Sequence, residues 1–325
     1  MSSRITSNML TSDYLRNMQR NLTNMKTLQN QLASGKQIQR PSDNPYIASR
    51  SMQLNAEMSA NKQYNENIKD TSNWLDTTDT ALSQMGNVFG RIETLLVNAG
   101  NGTYGQDERT SIQDEIKEKV NELSQVLNTS FDGSYIFGGT KTESKPTTVV
   151  NGVLQYADKD GNGIGNNSTT NIASTDTYKQ INSDLQVDIS QGVKTNYNTT
   201  ATDVLEFKDK DGNSINVSGL LSKIITDLGS SGSTSDLISS DLKNIQSVTA
   251  NLLQKRSEVG TFQNRMDSAQ QNNEAQNYNM TDILSKTEDI DLADTTMQYS
   301  LMQTVYTASL QTSAKILPMT ILNYL

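Results

Sequence analysis

The sequence predicts a mainly α protein with a β insert: an antiparallel rod of long helices, terminal coiled-coil helices, and a small inserted β domain. Three observations predict it. Apolar residues recur every seven positions on both sides of the chain's middle, the spacing of helices that pack in a seam. The four prolines (41, 45, 146 and 318) all fall outside those stretches, so the helices are free of breakers. Residues 141–233 lose the helical period and hold nine of the 19 glycines, which marks a different kind of structure.

The first helix is expected over residues 4–33, where Leu15, Met18, Leu22, Met25, Leu28 and Leu32 alternate spacings of three and four and form a narrow apolar stripe. The polar break that follows, within "QLASGKQIQRPSDNPYIAS" (31–49), reads as one helix stopping and another starting on a new axis. Gly35 suits the left-handed residue after a helix end, and Pro41 forbids continuation. Asn44 then serves as N-cap, with Pro45 at the first helical position.

The next helix runs from Pro45 to Ala99, with Ile68, Leu75, Leu82, Phe89 and Leu96 in strict heptads and Met85, Ile92 and Ala99 beside them. A seam this long calls for a partner helix. Gly86 and Gly90 each cost roughly 1 kcal/mol inside a helix, which suggests close approach of a neighbour there. Gly100, Gly102 and Gly105 mark a turn before a third helix over 106–130, with Ile112, Ile116, Leu123 and Leu127 inward. "FDGSYIFGGT" (131–140) reads as a short hairpin.

Within the insert, "VLQYADKDGNGI" (153–164) and "VLEFKDKDGNSI" (204–215) repeat an alternating strand, a turn and an apolar restart. A short helix is expected near "GLLSKIITDLG". From Asp236 the heptads return through Ile245, Leu252, Val259, Met266 and Met280, with a polar gap at Asn273. After the acidic break "TEDIDLADTT", a last helix carries Met297, Leu301, Val305, Ala308 and Ile316 before Pro318. The expected domains are residues 1–45 with 280–325 as a terminal coiled coil, 46–140 with 236–279 as the rod, and 141–235 as the insert.

Composition excludes most chemistry. The 325 residues include neither cysteine nor histidine, which removes thiol nucleophiles, Ser-His-Asp triads, histidine acid–base catalysis and the usual zinc sites. Net charge is -9, which argues against nucleic acid or an anionic membrane as partner. The N-terminus lacks the apolar run of a cleaved signal peptide, and no segment approaches 18 apolar residues. An apolar content of 34% suits long helices that each bury one narrow stripe.

The remaining motifs carry no reaction. "DKDGNG" imitates half an EF-hand loop, but Thr169 stands where the bidentate glutamate belongs, so it is read as a turn. "SANK" and "SDLK" match a Ser-x-x-Lys pattern without the companion motifs in order. Asp114, Glu115 and Glu118 alternate with Lys117 and Lys119, an ordinary solvated helix face. No catalytic, cofactor or metal site is expected.

The two ends differ in charge. Residues 1–45 hold six Lys/Arg against two Asp, and residues 280–325 hold two Lys against five Asp/Glu. Such amphipathic ends should pair, with each other or with copies of the chain. Each buries too little apolar surface to be stable alone, so partial disorder is expected in the monomer. Open, non-closing contacts between such subunits would build a helical tube.

Both ends resemble the flagellin superfamily, on residues 1–49 and on "DIDLADTTMQYSLMQTVYTASLQTSAKILPMTILNYL". The marks "SGKQIQRPSDNP", "GSYIFGGT" and the ending "LNYL" are similar to the branch that joins hook to filament, rather than to bulk flagellins. The resemblance covers roughly residues 1–140 and 236–325 and implies a flagellin-like antiparallel long-helix rod with no enzymatic role. It implies assembly through the terminal helices, with the insert facing solvent. It further implies export through the flagellar type III apparatus without cleavage, so that the chain ends outside the cell.

The implied partners are copies of the chain itself, hook-associated protein 1 on the hook side, flagellin on the filament side and an export chaperone, with no nucleic acid and no membrane. Residues 34–45 would become a spoke between inner and outer helices. In it Gly35 and Pro41 set the direction, and Lys36 and Arg40 reach acidic groups of an adjacent subunit. A bulk flagellin subunit, or from another class an intracellular coiled-coil scaffold, are the alternatives.

Overall fold

The computed structural model describes residues 7–100, 105–164, 173, 175–229 and 237–316. Helix α1 (Ser7–Ser34) ends at Gly35, whose φ of +70° is the left-handed conformation expected of that glycine. Helix α2 (Pro45–Ala99) begins with the Ile47 N–H donating to the Asn44 side chain at 3.3 Å, as an N-cap should. Helix α3 (Gln106–Leu127) leads into strands β1 (Ser130–Phe131) and β2 (Ser134–Tyr135). Their turn has positive φ at both Asp132 (49°) and Gly133 (77°), the geometry that keeps a tight hairpin in step with strand twist.

The insert is less purely β than the sequence suggests. Strands β3 (Thr147–Val150), β4 (Val153–Ala157) and β5 (Gly163–Ile164) form one antiparallel sheet. After it come helix α4 (Asp176–Ile181), the hairpin of β6 (Gln186–Ser190) and β7 (Val193–Asn196), helix α5 (Ala201–Leu205), and the hairpin of β8 (Glu206–Lys208) and β9 (Ser214–Asn216). Helix α6 (Val217–Gly229) covers the stretch where a short helix was expected, and a π turn at Leu237–Asp241 opens helix α7 (Leu242–Glu288). Helix α8 (Leu292–Ile316) follows.

Contacts divide the chain into two compact units. One is built from residues up to Ala60 and from Ala275 onward, the other from Asn61 to Glu274. In the second, α2 and α7 run antiparallel: Arg256 grips Asp79 at 2.9 and 3.2 Å, Gln263 donates to Asp76 at 2.7 Å, and Gln246 donates to Glu93 at 2.9 Å. Between them lies the heptad core. Ile68, Leu75, Leu82, Phe89, Leu96, Ile245, Leu252, Val259 and Met266 are all at most 1% exposed.

The same core continues into the insert through Ile136, Phe137, Leu154, Ile181, Val204, Leu221 and Ile224. Trp74 on α2 meets Phe131 and Tyr197 edge-on, at 6.2 and 5.8 Å between ring centres. The hairpin and the insert are therefore packed onto the rod by apolar and aromatic surface.

Two details correct expectations. Gly86 and Gly90 admit no close neighbour: a β-carbon at either would find nothing within 4 Å. They lie at half-exposed positions outside the seam, so close packing does not account for them. Close approach occurs instead at "GSYIFGGT". A β-carbon on Gly138 would collide with the Lys141 carbonyl, and one on Gly139 (φ +59°) with the carbonyls of Gln180 and Ile181 at the end of α4.

The polar gap at Asn273 is a second core feature. Asn61 and Asn273 are 4% and 1% exposed, and the Asn61 amide donates to the Asn273 carbonyl at 2.8 Å. The Asn273 amide in turn donates to the Ile189 carbonyl of β6 at 2.9 Å.

Both DKDGN segments are hairpin turns of one design. Asp158 accepts the N–H groups of Asp160 and Asn162 at 2.9 and 2.8 Å, and Asp209 accepts those of Asp211 and Asn213 at the same distances. Gly161 and Gly212 supply the positive φ, 84° and 85°. The first aspartate of each turn is thus occupied by its own backbone.

Candidate functional site

The first unit contains the residues nominated for assembly. Helices α1 and α8 pair antiparallel: the Tyr14 hydroxyl donates to the Ser309 carbonyl, and Lys36 meets Glu288 at the other end. On α1 the half-covered residues are Thr11, Tyr14, Met18, Asn21, Met25, Leu28, Gln31 and Leu32. On α8 they are Tyr299, Met302, Tyr306, Ser309 and Ser313, together with buried Thr295. Of the predicted stripe, Met18, Met25, Leu28 and Leu32 therefore face the partner helix.

The others do not. Leu15 and Leu22 are each 47% exposed, Met297 66%, Leu301 63% and Val305 40%, and Ala308 is exposed as well. The Ile316 side chain lies outside the described residues. Helix α8 thus pairs with α1 through one face and leaves its predicted stripe on another. The stretch 295–314 contains no charged residue. An uncharged helix with a continuous apolar stripe in solvent is a surface made to be covered.

The pairing residues Tyr299, Met302 and Tyr306 were missed in the sequence although they keep helical spacing. Two apolar stripes share this helix, and periodicity alone does not say which meets α1.

This unit has almost no core of its own. Among the described residues its buried apolar side chains are Ala48 and Leu54, with Ser51, Glu288 and Thr295 as buried polar ones. Hydrogen bonds around the linker reinforce the α1–α8 pairing. The Gln37 N–H donates to the Glu288 carbonyl at 2.5 Å, and the Ile290 N–H to the Gly35 carbonyl at 3.1 Å. Lys36 donates to the Glu288 carboxylate at 2.5 Å, and that hydrogen bond holds the ammonium above its ordinary pKa. Lys36, assigned from the sequence to an adjacent subunit, thus has an acidic partner in its own chain. Pro41 and Pro45 are exposed, and Asp43 braces the bend by accepting the N–H groups of Gln39 and Arg40 at 3.2 and 2.9 Å.

Among the described residues no group of three or more acidic side chains could hold a metal. No described helix is long and apolar enough to cross a membrane. Tyr156, buried beside Glu206, is pushed far above its ordinary range by burial. Its role is structural: Tyr156 and Tyr178 both donate to Glu206, at 3.1 and 2.8 Å, and clamp β4, α4 and β8 together.

Two family profiles match this chain. The bacterial flagellin N-terminal helical region matches residues 5–142, and the bacterial flagellin C-terminal helical region matches residues 242–325. The chain belongs to the flagellin family. This family member is 23% identical to flagellar hook-associated protein 3 of Escherichia coli K12 over 288 residues, 86% of each chain. It is 26% identical to the flagellin of Bacillus subtilis over 270 residues, 81% of this chain and 79% of that one. Among solved structures, a flagellar hook-associated protein from Vibrio parahaemolyticus has a TM-score of 0.61 at 20% identity, covering 76% of this chain and all of that one. Hook-associated protein 3 of Legionella pneumophila has a TM-score of 0.56 at 13% identity, covering 72% and 98%. The matched regions are the helices at both ends; the insert lies between the two profiles.

Proposed function

We propose that this flagellin-family chain is the subunit that joins hook to filament. It acts as a structural element and not as a catalyst. The observation that carries the reading is the outward apolar stripe of Met297, Leu301, Val305 and Ala308, joined by Leu15 and Leu22. Such a surface on a unit with almost no core is stabilised by neighbours, and repeated non-closing contact of that kind builds tubes. The likeness to hook-associated protein 3 over 86% of each chain supports the junction over other positions in the tube.

On this reading the chain contacts copies of itself, hook-associated protein 1 below and flagellin above. It leaves the cell through the flagellar export apparatus without a cleaved signal, escorted by a chaperone. The insert (residues 141–235) faces outward. Immunogold labelling of intact cells with antibody against residues 141–233 tests it. Gold confined to one short zone at the filament base is expected. Label along the whole filament would make the chain a bulk flagellin, a reading that its likeness to the Bacillus subtilis flagellin keeps in play.

A further inference from the structure

The linker and the end of α1 enclose a polar groove of about 520 Å³, rimmed by Lys26, Asn30, Gln31, Gln39 and Arg40. Its single acid, Asp43, is occupied by the backbone N–H groups of Gln39 and Arg40. Neither Lys26 nor Arg40 has a carboxylate within 4 Å among the described residues, and both are exposed. Two exposed cations against one carboxylate leave the groove with a net positive charge.

The same unit carries the opposite surface. Asp289, Asp291 and Asp294 cluster at the turn between α7 and α8, all exposed. Their described hydrogen-bond partners are neutral, and only Asp289 also feels a cation, the Lys36 ammonium. Asp289 accepts the Ser285 hydroxyl at 2.6 Å, Asp291 the N–H groups of Ala293 and Asp294 at 2.9 and 3.2 Å, and Asp294 the Gln298 amide at 2.8 Å. Glu288, by contrast, already has Lys36.

We infer that the groove rimmed by Lys26 and Arg40 receives the Asp289–Asp291–Asp294 turn of a second copy of this chain. The inference rests on the assembly reading above and gives it a polarity. Two different, complementary patches on one subunit suit a head-to-tail contact between copies, the kind that can propagate. Exposed charges of this sort chiefly steer and register encounters between copies.

The absence of cysteine makes a clean test possible. Cells co-express two tagged full-length variants, Thr27→Cys in the groove and Ala293→Cys in the acidic turn, and isolated flagella are oxidised. A disulfide between the two tags can only join different chains. The expected result is a crosslinked heterodimer well above that of Thr27→Cys with Lys159→Cys in the insert. In the crosslinking pair, Arg40→Glu should lower the yield about fivefold, the equivalent of roughly 1 kcal/mol for an exposed ion pair. Adding Asp291→Lys to the other variant should restore it.

Flagella that contain both tags but give no crosslink above the control overturn the inference and leave the assembly reading intact. A crosslink indifferent to both charge changes overturns it equally. Absence of both tags from flagella overturns the assembly reading, and the inference with it.

Discussion

Asn61 and Asn273 sit in one layer of the rod, where both heptad seams would otherwise place apolar residues, and the Asn61 amide donates to the Asn273 backbone at 2.8 Å. A buried amide at a seam position fixes register at a cost in stability, because any slip strands it unpaired. Here it also fixes the insert, since Asn273 holds the Ile189 carbonyl of β6 at 2.9 Å. Asn273→Ala is expected to destabilise the rod by roughly 1–3 kcal/mol, the cost of leaving a buried carbonyl unpaired. Urea denaturation checks this, with a lower midpoint and an unchanged slope as the expected outcome.

The glycines separate into two classes with opposite predictions. A β-carbon on Gly139 would meet the carbonyls of Gln180 and Ile181, at a left-handed backbone angle. Gly139→Ala should therefore destabilise by about 2–4 kcal/mol. Gly86 and Gly90 are helical with open space around the missing β-carbon. Gly90→Ala should stabilise by roughly 0.5–1 kcal/mol through lower chain entropy and better helix propensity. Thermal melts of the two variants should move in opposite directions.

Much of this fold was legible because the helices obey a simple period. The sequence places a helix over Pro45–Ala99, as observed, and every residue of its heptad seam lies in the core. The repeat was legible only in its turns. In the first copy Val153 and Leu154 begin a strand, whereas in the second Val204 and Leu205 end helix α5, nucleated by a capping box between Thr200 and Asp203. Identical residues take the structure their upstream cap and packing dictate. In the assembly surface, the face that α8 turns to α1 was illegible because two apolar stripes compete for it. The Lys36–Glu288 pair joins residues far apart in the chain, and charge counts alone do not assign partners.

The terminal unit should open long before the rod. Its buried apolar side chains among the described residues are Ala48 and Leu54, whereas the continuous cluster from Ile68 to Met266 belongs wholly to the other unit. Local opening follows local burial. Limited proteolysis of the monomer should clip within α1 and α8 first and leave a resistant fragment close to residues 61–274. Termini as resistant as the rod would refute this.

The DKDGN turns predict an acid response. Hydrogen bonds from Asn162 and Asp160 hold the Asp158 carboxyl below its ordinary range, and bonds from Asn213 and Asp211 do the same for Asp209. A depressed folded pKa contributes stability that is complete above the unfolded value of 3.8 and is lost as pH falls through the folded one. Stability in urea should thus decline below about pH 4, and the decline should be shallower in Asp158→Asn/Asp209→Asn. Equal slopes for the two proteins would place the acid sensitivity elsewhere.

The outward stripe of α8 makes the sharpest separation between folding and assembly. Met297 and Leu301 are 66% and 63% exposed, so a charge at either stays largely in water in the monomer. Met297→Glu/Leu301→Glu should leave the monomer's melting temperature and helix content essentially unchanged, within about 0.5 kcal/mol. In an assembled tube the same carboxylates would be buried without partners, each costing several kcal/mol. Cells carrying the double variant should export the protein yet shed their filaments into the medium, lowering motility on soft agar. Tyr299→Glu on the face toward α1 should do the reverse in order, loosening the monomer's terminal helices before assembly is ever attempted. Full motility in the first variant would show that the stripe is not the surface by which copies meet.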